Sequence, residues 1–297
     1  MSQPIWQKES TGASSLQPLE QNLENARYNY TTKPPLPSNT SPIMPKLSII
    51  TITYQAEAYI ERTLKSVFEQ GCAEEIDYIV VDGASKDKTL SIIEANKAQI
   101  NQLISEKDKG IYDAMNKGMQ LAKGEYILFL NAGDTFASSS TLKNILRELG
   151  ENPDVLYGEA IFVNNEGKSL GLRSEVTPHR LPNKLTWRNF RFGMLVCHQA
   201  FIAKRSIAPL FNLDYRLSSD IDWEIQVLKK SQHILKSATP ICTYLMGGAS
   251  VQNLKRSWVE RYQVLKSHFG LLPTIFNHLV IITRGLIFAL KKQGKYW

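Results

Sequence analysis

The chain has 297 residues, 43% of them hydrophobic, and a formal charge of +7. That length supports one large domain or two small ones around a substantial core. Its three cysteines, Cys72, Cys197 and Cys242, form no CxxC pair and have no histidine pair nearby, which excludes a zinc site or a disulfide framework and points to a reducing compartment.

Residues 1–45 are polar and rich in proline, with no apolar core segment, so they do not read as a signal peptide. The run Lys33, Pro34, Pro35, Leu36, Pro37 excludes helix and central strand, and 1–45 is expected to be a disordered extension. Order is expected from Lys46. Leu47 to Tyr54 is a β-branched run of strand length. Ile60, Leu64, Val67 and Phe68 then recur at helical spacing within 58–70. Ile76 to Asp82 predicts a second strand, 87–97 a helix, and Leu103 to Glu106 a short strand. A helix from Asp113 to Ala122 follows, with Gly124 expected as its C-terminal cap, and then a strand from Tyr126 to Leu130. Alternating strands and helices with short connections imply right-handed crossovers and a mainly parallel sheet. Strands covered on both faces run apolar throughout, as these do.

The second half is less regular. Strands are expected at 154–163 and 198–204, a helix from Asp222 to Lys229, and an extended return from Ser237 to Leu245. Helices are expected over 254–268 and 273–291. From 251 onward eight lysines and arginines face one acid, Glu260, so the tail carries the whole formal charge. A basic tail beside an apolar stretch points to an anionic surface, and the absence of a groove-reading motif argues against nucleic acid. The apolar run from Ile275 to Leu290 falls short of a membrane span. Asn277, Arg284 and Lys291, seven apart, make a narrow polar strip on it, a pattern that suits a helix lying in a membrane interface or packing on protein.

Two apolar strands end at carboxylates, Asp82 and, after Asn131, Ala132 and Gly133, Asp134. Open α/β sheets bind ligands outside such strand ends. Asp82 is a candidate acceptor for a base or ribose, or else a cap for the next helix. The segment 79–89 lacks the second glycine of a phosphate loop, and no GxGxxG follows any strand. Residues 106–118 gather Asp108, Lys109, Asp113, Asn116 and Lys117 at a strand-to-helix turn, where free N–H groups attract anions and where a solvated helix start has the same composition. Asn131 and Asp134 offer hard oxygens that suit Mg²⁺ with a diphosphate, or an Asx turn. Ser218 to Glu224 place acids at a helix start, where one carboxylate serves as general base and the others as first-turn charge.

LSIITITY, IVVDGASKDKT, GIYDAMNKG, GEYILFLNAGD, SSDIDWE and MGGAS occur in this order over roughly 46–250. The set resembles the family 2 glycosyltransferases of the GT-A fold, in the branch near colanic-acid and O-antigen transferases. The resemblance implies a GT-A domain over 46–250, with a Rossmann-like nucleotide-binding half, an irregular acceptor half and C-terminal helices over 251–297. It implies an inverting transferase using a nucleotide-diphosphate sugar, a UDP-sugar first, with Mg²⁺ or Mn²⁺, and a glycan or lipid-linked acceptor in cell-surface polysaccharide synthesis. By position Thr53, Tyr54, Glu57 and Asp82 belong to the nucleotide, with Lys109 and Asp113 on the same side. Asn131 and Asp134 belong to the metal, and Asp220 is the general base with Asp222 as fallback. Asn131 and Gly133 replace two of the three acids of the family's D-x-D-D, which leaves Asp134 as metal ligand. His198 lies on an acceptor-side strand and is read as structural. The processive QxxRW is missing, so one sugar per encounter is expected. The enzyme is expected in the cytoplasm, peripheral on the inner face of the plasma membrane. A non-catalytic nucleotide-sugar-binding protein of the same fold is the alternative. A nucleotidyltransferase is disfavoured because residues 53–59 contain no glycine.

Overall fold

A computed structural model describes residues 44–248 and 253–292. The expected extension over 1–45 therefore lies, up to residue 43, outside the described residues. β1 (Leu47–Thr53) and β2 (Ile76–Asp82) are buried at every position, because sheet neighbours and helices cover them on all sides. Between them α1 (Ile60–Phe68) turns Ile60, Thr63, Leu64 and Val67 inward, one face at helical spacing. α2 (Thr89–Ala95), β3 (Gln102–Ser105), α3 (Ile111–Leu121) and β4 (Tyr126–Phe129) complete the regular half as expected.

β5 (Thr135–Phe136), α4 (Thr141–Leu149), β6 (Val155–Tyr157), β7 (Ala160–Val163), β8 (Ser169–Leu172) and α5 (Arg173–Val176) follow. Then come a 3-10 segment (Trp187–Phe192), β9 (Phe201–Lys204), α6 (Ser219–Lys230), β10 (Ile234–Lys236) and β11 (Cys242–Leu245). α7 (Leu254–Phe269) and α8 (Leu271–Lys291) close the described chain. The main sheet has seven strands in the order β10-β6-β9-β4-β1-β2-β3. All its pairings are parallel except those of β9, which runs antiparallel to β4 and β6. A second sheet of four strands, β5-β11-β7-β8, carries the loops of the irregular half.

Several expectations are corrected. The single strand expected at 154–163 is two, divided at Gly158 between the two sheets. The Gly158 N–H bonds to Ala200 O, and a side chain there would press on Ile241. Of the return expected at 237–245 only β11 is strand, and β10 ends just before it at Lys236. Residues 198–200 form a 3-10 turn, and β9 begins only at Phe201. α6 starts at Ser219, not at 222, which puts Asp220 and Asp222 in its first turn. Cys197 and Cys242, far apart in sequence, are buried free thiols hydrogen-bonded to each other.

Gly124 is not the cap of α3, which ends at Leu121 with Ala122 at the C-cap. Its role is close approach. The Gly124 N–H bonds to Ser48 Oγ at 2.8 Å, and a Cβ would collide with the Ser48 backbone and lie 2.7 Å from Leu47 C. Gly285, in α8, faces open space. Gly124→Ala is therefore expected to lower unfolding free energy by about 1–3 kcal/mol through overpacking. Gly285→Ala should leave it unchanged or raise it by roughly 0.5–1 kcal/mol through helix propensity. Urea denaturation of the two variants reads both signs.

Candidate active site

Backbone pairing brings the carboxyl ends of three strands level. Thr53 pairs with Asp82, and the ladder between β1 and β4 continues past β4 as Leu130 N–H bonds to Ile50 O and Ala132 N–H to Ile52 O. Asp82 and the 131–134 turn thus lie two strand spacings apart, about 10 Å.

On the β2 side, the fully buried Asp82 carboxylate accepts from Ser105 Oγ at 2.6 Å, from the Ser85 hydroxyl, and from the Ser85 N–H at 3.1 Å. Tyr54 is 59% exposed and its ring lies 3.2 Å from where a Cβ on Gly83 would be, with the Asp108 carboxylate against the same point. Any side chain at 83 would close this slot between an aromatic face and a carboxylate. Glu57 accepts from the Lys88 N–H at 2.9 Å and so pins the loop after β2 to the loop after β1. Gln55 and Ala84, at φ 47° and 60°, hold the two loops in left-handed turns. Thr53 Oγ1 is buried without a hydrogen-bond partner. Asp113 accepts from the Lys109 N–H at 2.9 Å and lies 3.9 Å from Lys117 Nζ, so its carboxylate organises the helix start while Asp108 faces the slot.

On the β4 side, Asn131 Nδ2 lies 3.0 Å from His198 Nε2, and His198 Nδ1 lies 3.5 Å from Asp220 Oδ2. Asp220 Oδ1 accepts the Ile221 N–H at 2.9 Å. Tyr112 sits beside Asp220, and burial together with that carboxylate pushes its hydroxyl well above the usual phenol range. One turn on, Glu224 is completely buried with no hydrogen-bond partner for either oxygen among the described residues. Burial and then the Asp220 charge raise its carboxyl well above normal. Asp222 is not equivalent to Asp220. Its oxygens are engaged by His268 Nε2 at 2.6 Å and Gln226 Nε2 at 2.7 Å, which ties it to α7. The helix is held by Trp223, whose indole stacks on Phe211 at 5.0 Å, meets Phe129 and Phe201 edge-on, and donates to Pro209 O.

Asp134 is buried as well. Gln199 Nε2 donates to one oxygen and the Leu245 N–H to the other, both at 2.9 Å. Burial lifts its pKa to about 6 despite those bonds. Gly133, at φ +103°, has no side chain to offer, and its carbonyl accepts from the Arg62 guanidinium. Among the described residues no three acids, histidines or cysteines cluster to hold a metal ion. Of the two expected ligands of Mg²⁺ or Mn²⁺, Asp134 does not fit, because each of its oxygens already accepts a hydrogen bond that fastens the loop to β11 and to the 198–200 turn. Asn131 turns its amide nitrogen to His198 and leaves Oδ1 buried without a partner among the described residues. A separate surface recess lined by Trp187, Arg188 and Lys229 contains none of these residues.

From the sequence His198 reads as structural, Glu224 is one of several acids at a helix start, and Gln199, Tyr112 and Arg62 do not stand out. No spacing rule links residues from four separate elements. The sole signal was the presence of His198 and Gln199 just before a strand.

Comparison with known proteins bears on this site. The family model described as Glycosyl transferase family 2 matches residues 48–209. A PGL/p-HBAD biosynthesis glycosyltransferase of Mycobacterium tuberculosis is 32% identical over 191 residues, covering 61% of this chain and 69% of the relative. The Escherichia coli UDP-Glc:alpha-D-GlcNAc-diphosphoundecaprenol beta-1,3-glucosyltransferase WfgD is 24% identical over 256 residues, covering 84% of this chain and 98% of that one. In structure, S. aureus TarS 1–349 in complex with UDP-GlcNAc superposes with a TM-score of 0.61 at 20% identity, over 75% of this chain and 66% of that chain. The mannosyltransferase PcManGT from Pyrobaculum calidifontis, in complex with GDP-Man and Mn²⁺, superposes with a TM-score of 0.55 at 16% identity, over 88% and 87%.

The raised Asp134 pKa has a consequence for stability. An unfolded aspartate releases its proton near pH 3.9, whereas the folded one keeps it to about pH 6. The stabilisation is complete below the unfolded value and is lost as pH rises through the folded one, a change of about 3 kcal/mol. In Asp134→Asn, the new amide can meet the Gln199 oxygen, which has no partner now. That variant should flatten the fall in stability between about pH 4 and pH 6, read by urea denaturation at each pH.

Proposed function

This chain belongs to glycosyl transferase family 2, with the GT-A fold, and on that premise we propose that it is an inverting, non-processive transferase. It moves a sugar from a nucleotide-diphosphate donor, a UDP-sugar first, to a hydroxyl of a lipid-linked or polysaccharide acceptor. The observation that carries this reading is the line Asn131–His198–Asp220, laid beside the Tyr54–Asp82–Asp108 slot at one sheet edge. The name of WfgD, with its diphosphoundecaprenol acceptor, supports an acceptor built on lipid, and the UDP-GlcNAc bound to TarS supports a UDP-sugar. The donor comes from the cytoplasm, and the enzyme works at the inner face of the plasma membrane.

In this mechanism the nucleoside lies against Tyr54, with Thr53, Glu57 and Asp82 shaping its pocket and Lys109 and Asp113 flanking it. The acceptor oxygen attacks the anomeric carbon. Asp220 takes its proton, and the bond from that carbon to the diphosphate breaks with its electron pair going to the leaving oxygen. One displacement inverts the centre. His198 orients the Asp220 carboxylate, and burial one turn on favours the uncharged form of Glu224. Arg62, whose guanidinium donates to the Gly133 carbonyl, is a cation beside this turn for the leaving group. No step is assigned to a divalent ion.

Asp220→Asn should reduce turnover of UDP-glucose with a prenyl-diphosphate-linked GlcNAc acceptor by about 10²–10⁴-fold. UDP binding by calorimetry should stay as in the wild type. Turnover close to normal would move the base elsewhere. Adding Mn²⁺ should leave UDP affinity unchanged, whereas a gain of about tenfold, or about 1.4 kcal/mol, would restore the ion to this site.

A further inference from the structure

α8 is built inside out. Three of its polar residues face the protein: Thr274 is 0% exposed, Asn277 is buried, and the Arg284 guanidinium reaches the Phe192 carbonyl and His179 Nδ1, both at 2.8 Å, whereas Thr283 is exposed. Most of its large apolar residues face out. Leu272 (78% exposed), Phe276, Leu279, Leu286 and Leu290 (79%) recur at helical spacing along one exposed face. The polar strip at 277 and 284 thus points inward, the reverse of what an amphipathic helix does on a water-exposed domain. The helix is also longer than the sequence reading allowed. It spans 21 residues and is long and apolar enough to cross a membrane by length and composition. Its inward polar contacts fasten it along the folded domain, which leaves the outward face for a surface. Monomeric proteins rarely expose a continuous apolar face of this extent without a partner for it.

The charge says which partner. Residues 271–292 contain no acid, and the helix ends in Lys291 and Lys292. α7 beside it exposes Trp258 and Leu254 together with Lys255 and Arg256. A second copy would offer these cations no carboxylate on the same helix, whereas anionic lipid headgroups answer the lysines and acyl chains answer the leucines. α8 is also attached to the acceptor side of the site. Arg284 grips Phe192, and buried Arg173 donates to the Met194 and Leu195 carbonyls at 2.6 Å, three residues before His198.

We propose that the outward face of α8 lies in the interface of an anionic bilayer and that this docking presents the acceptor half of the site to a lipid-linked acceptor in the same membrane. The proposal rests on the transferase reading above and deepens it by naming the surface that meets the membrane and its link to the acceptor half.

The test is flotation of the full chain with phosphatidylcholine vesicles, with and without phosphatidylglycerol. The protein should float with the anionic vesicles, and added salt should weaken this. In the triple variant Leu272→Gln, Phe276→Gln, Leu279→Gln the vesicle-bound fraction should fall by more than about tenfold. Because these side chains are exposed, UDP affinity of the variant should match the wild type and report an intact fold. Transfer to a prenyl-linked acceptor in vesicles should fall with binding, while transfer to a short-chain soluble analogue should not. Equal flotation of variant and wild type overturns the proposal. So does a dimer in light scattering that the same variant abolishes, which would make the face a contact between copies. Loss of transfer to both acceptors in the wild type would instead strike at the transferase reading, with the flotation result standing.

Discussion

The pairing register of β1 is the constraint on which the site depends. Hydrogen bonds of β1 to β2 and β4 align Thr53 with Asp82 and carry the turn at 131–134 alongside Ile52. A slip of one residue would reverse the faces of a strand buried at all seven positions. The burial that stabilises the core therefore also sets which carboxylates emerge side by side. Gly124 belongs to the same constraint, since its backbone lies directly against Leu47 and Ser48 at the other end of β1.

Environment then separates acids that look alike in sequence. Asp220 and Asp222 share a helix turn, but His268 and Gln226 engage Asp222, while Asp220 faces His198 and Tyr112. Glu224, on the same face one turn later, has no donor among the described residues, and burial raises its carboxyl well above normal. Asp134 has two neutral donors and lies near Arg62 and His198, but burial outweighs them all and its pKa rises. The stacked rings of Trp223 and Phe211 against Phe129 hold α6 to the end of β4, so these differences are fixed before any ligand arrives.

The C-terminal helices extend the same logic to the outside. The buried polar side of α8 satisfies carbonyl and imidazole groups of the 179–192 region, and that region leads through Arg173 contacts to His198. A packed connection thus runs from the outward apolar face of α8 to the acceptor side of the site.

The sequence alone determined the alternation of β1 to β4 with their helices, because hydrophobic period and β-branched runs report local burial directly. It also determined that Asp82, Asp134 and Asp220 follow or begin regular elements, and the order of motifs was enough to identify the family. Tertiary structure alone decided how 154–163 divides between two sheets, because that choice rests on Gly158 meeting Ile241 and Ala200 across the chain. It decided that Asp134 turns both oxygens to Gln199 and Leu245, that His198 joins Asn131 to Asp220, and that α8 shows its apolar face outward. Each of these depends on partners tens of residues away, and a one-dimensional pattern records the period of a helix but not the direction in which the folded chain turns it.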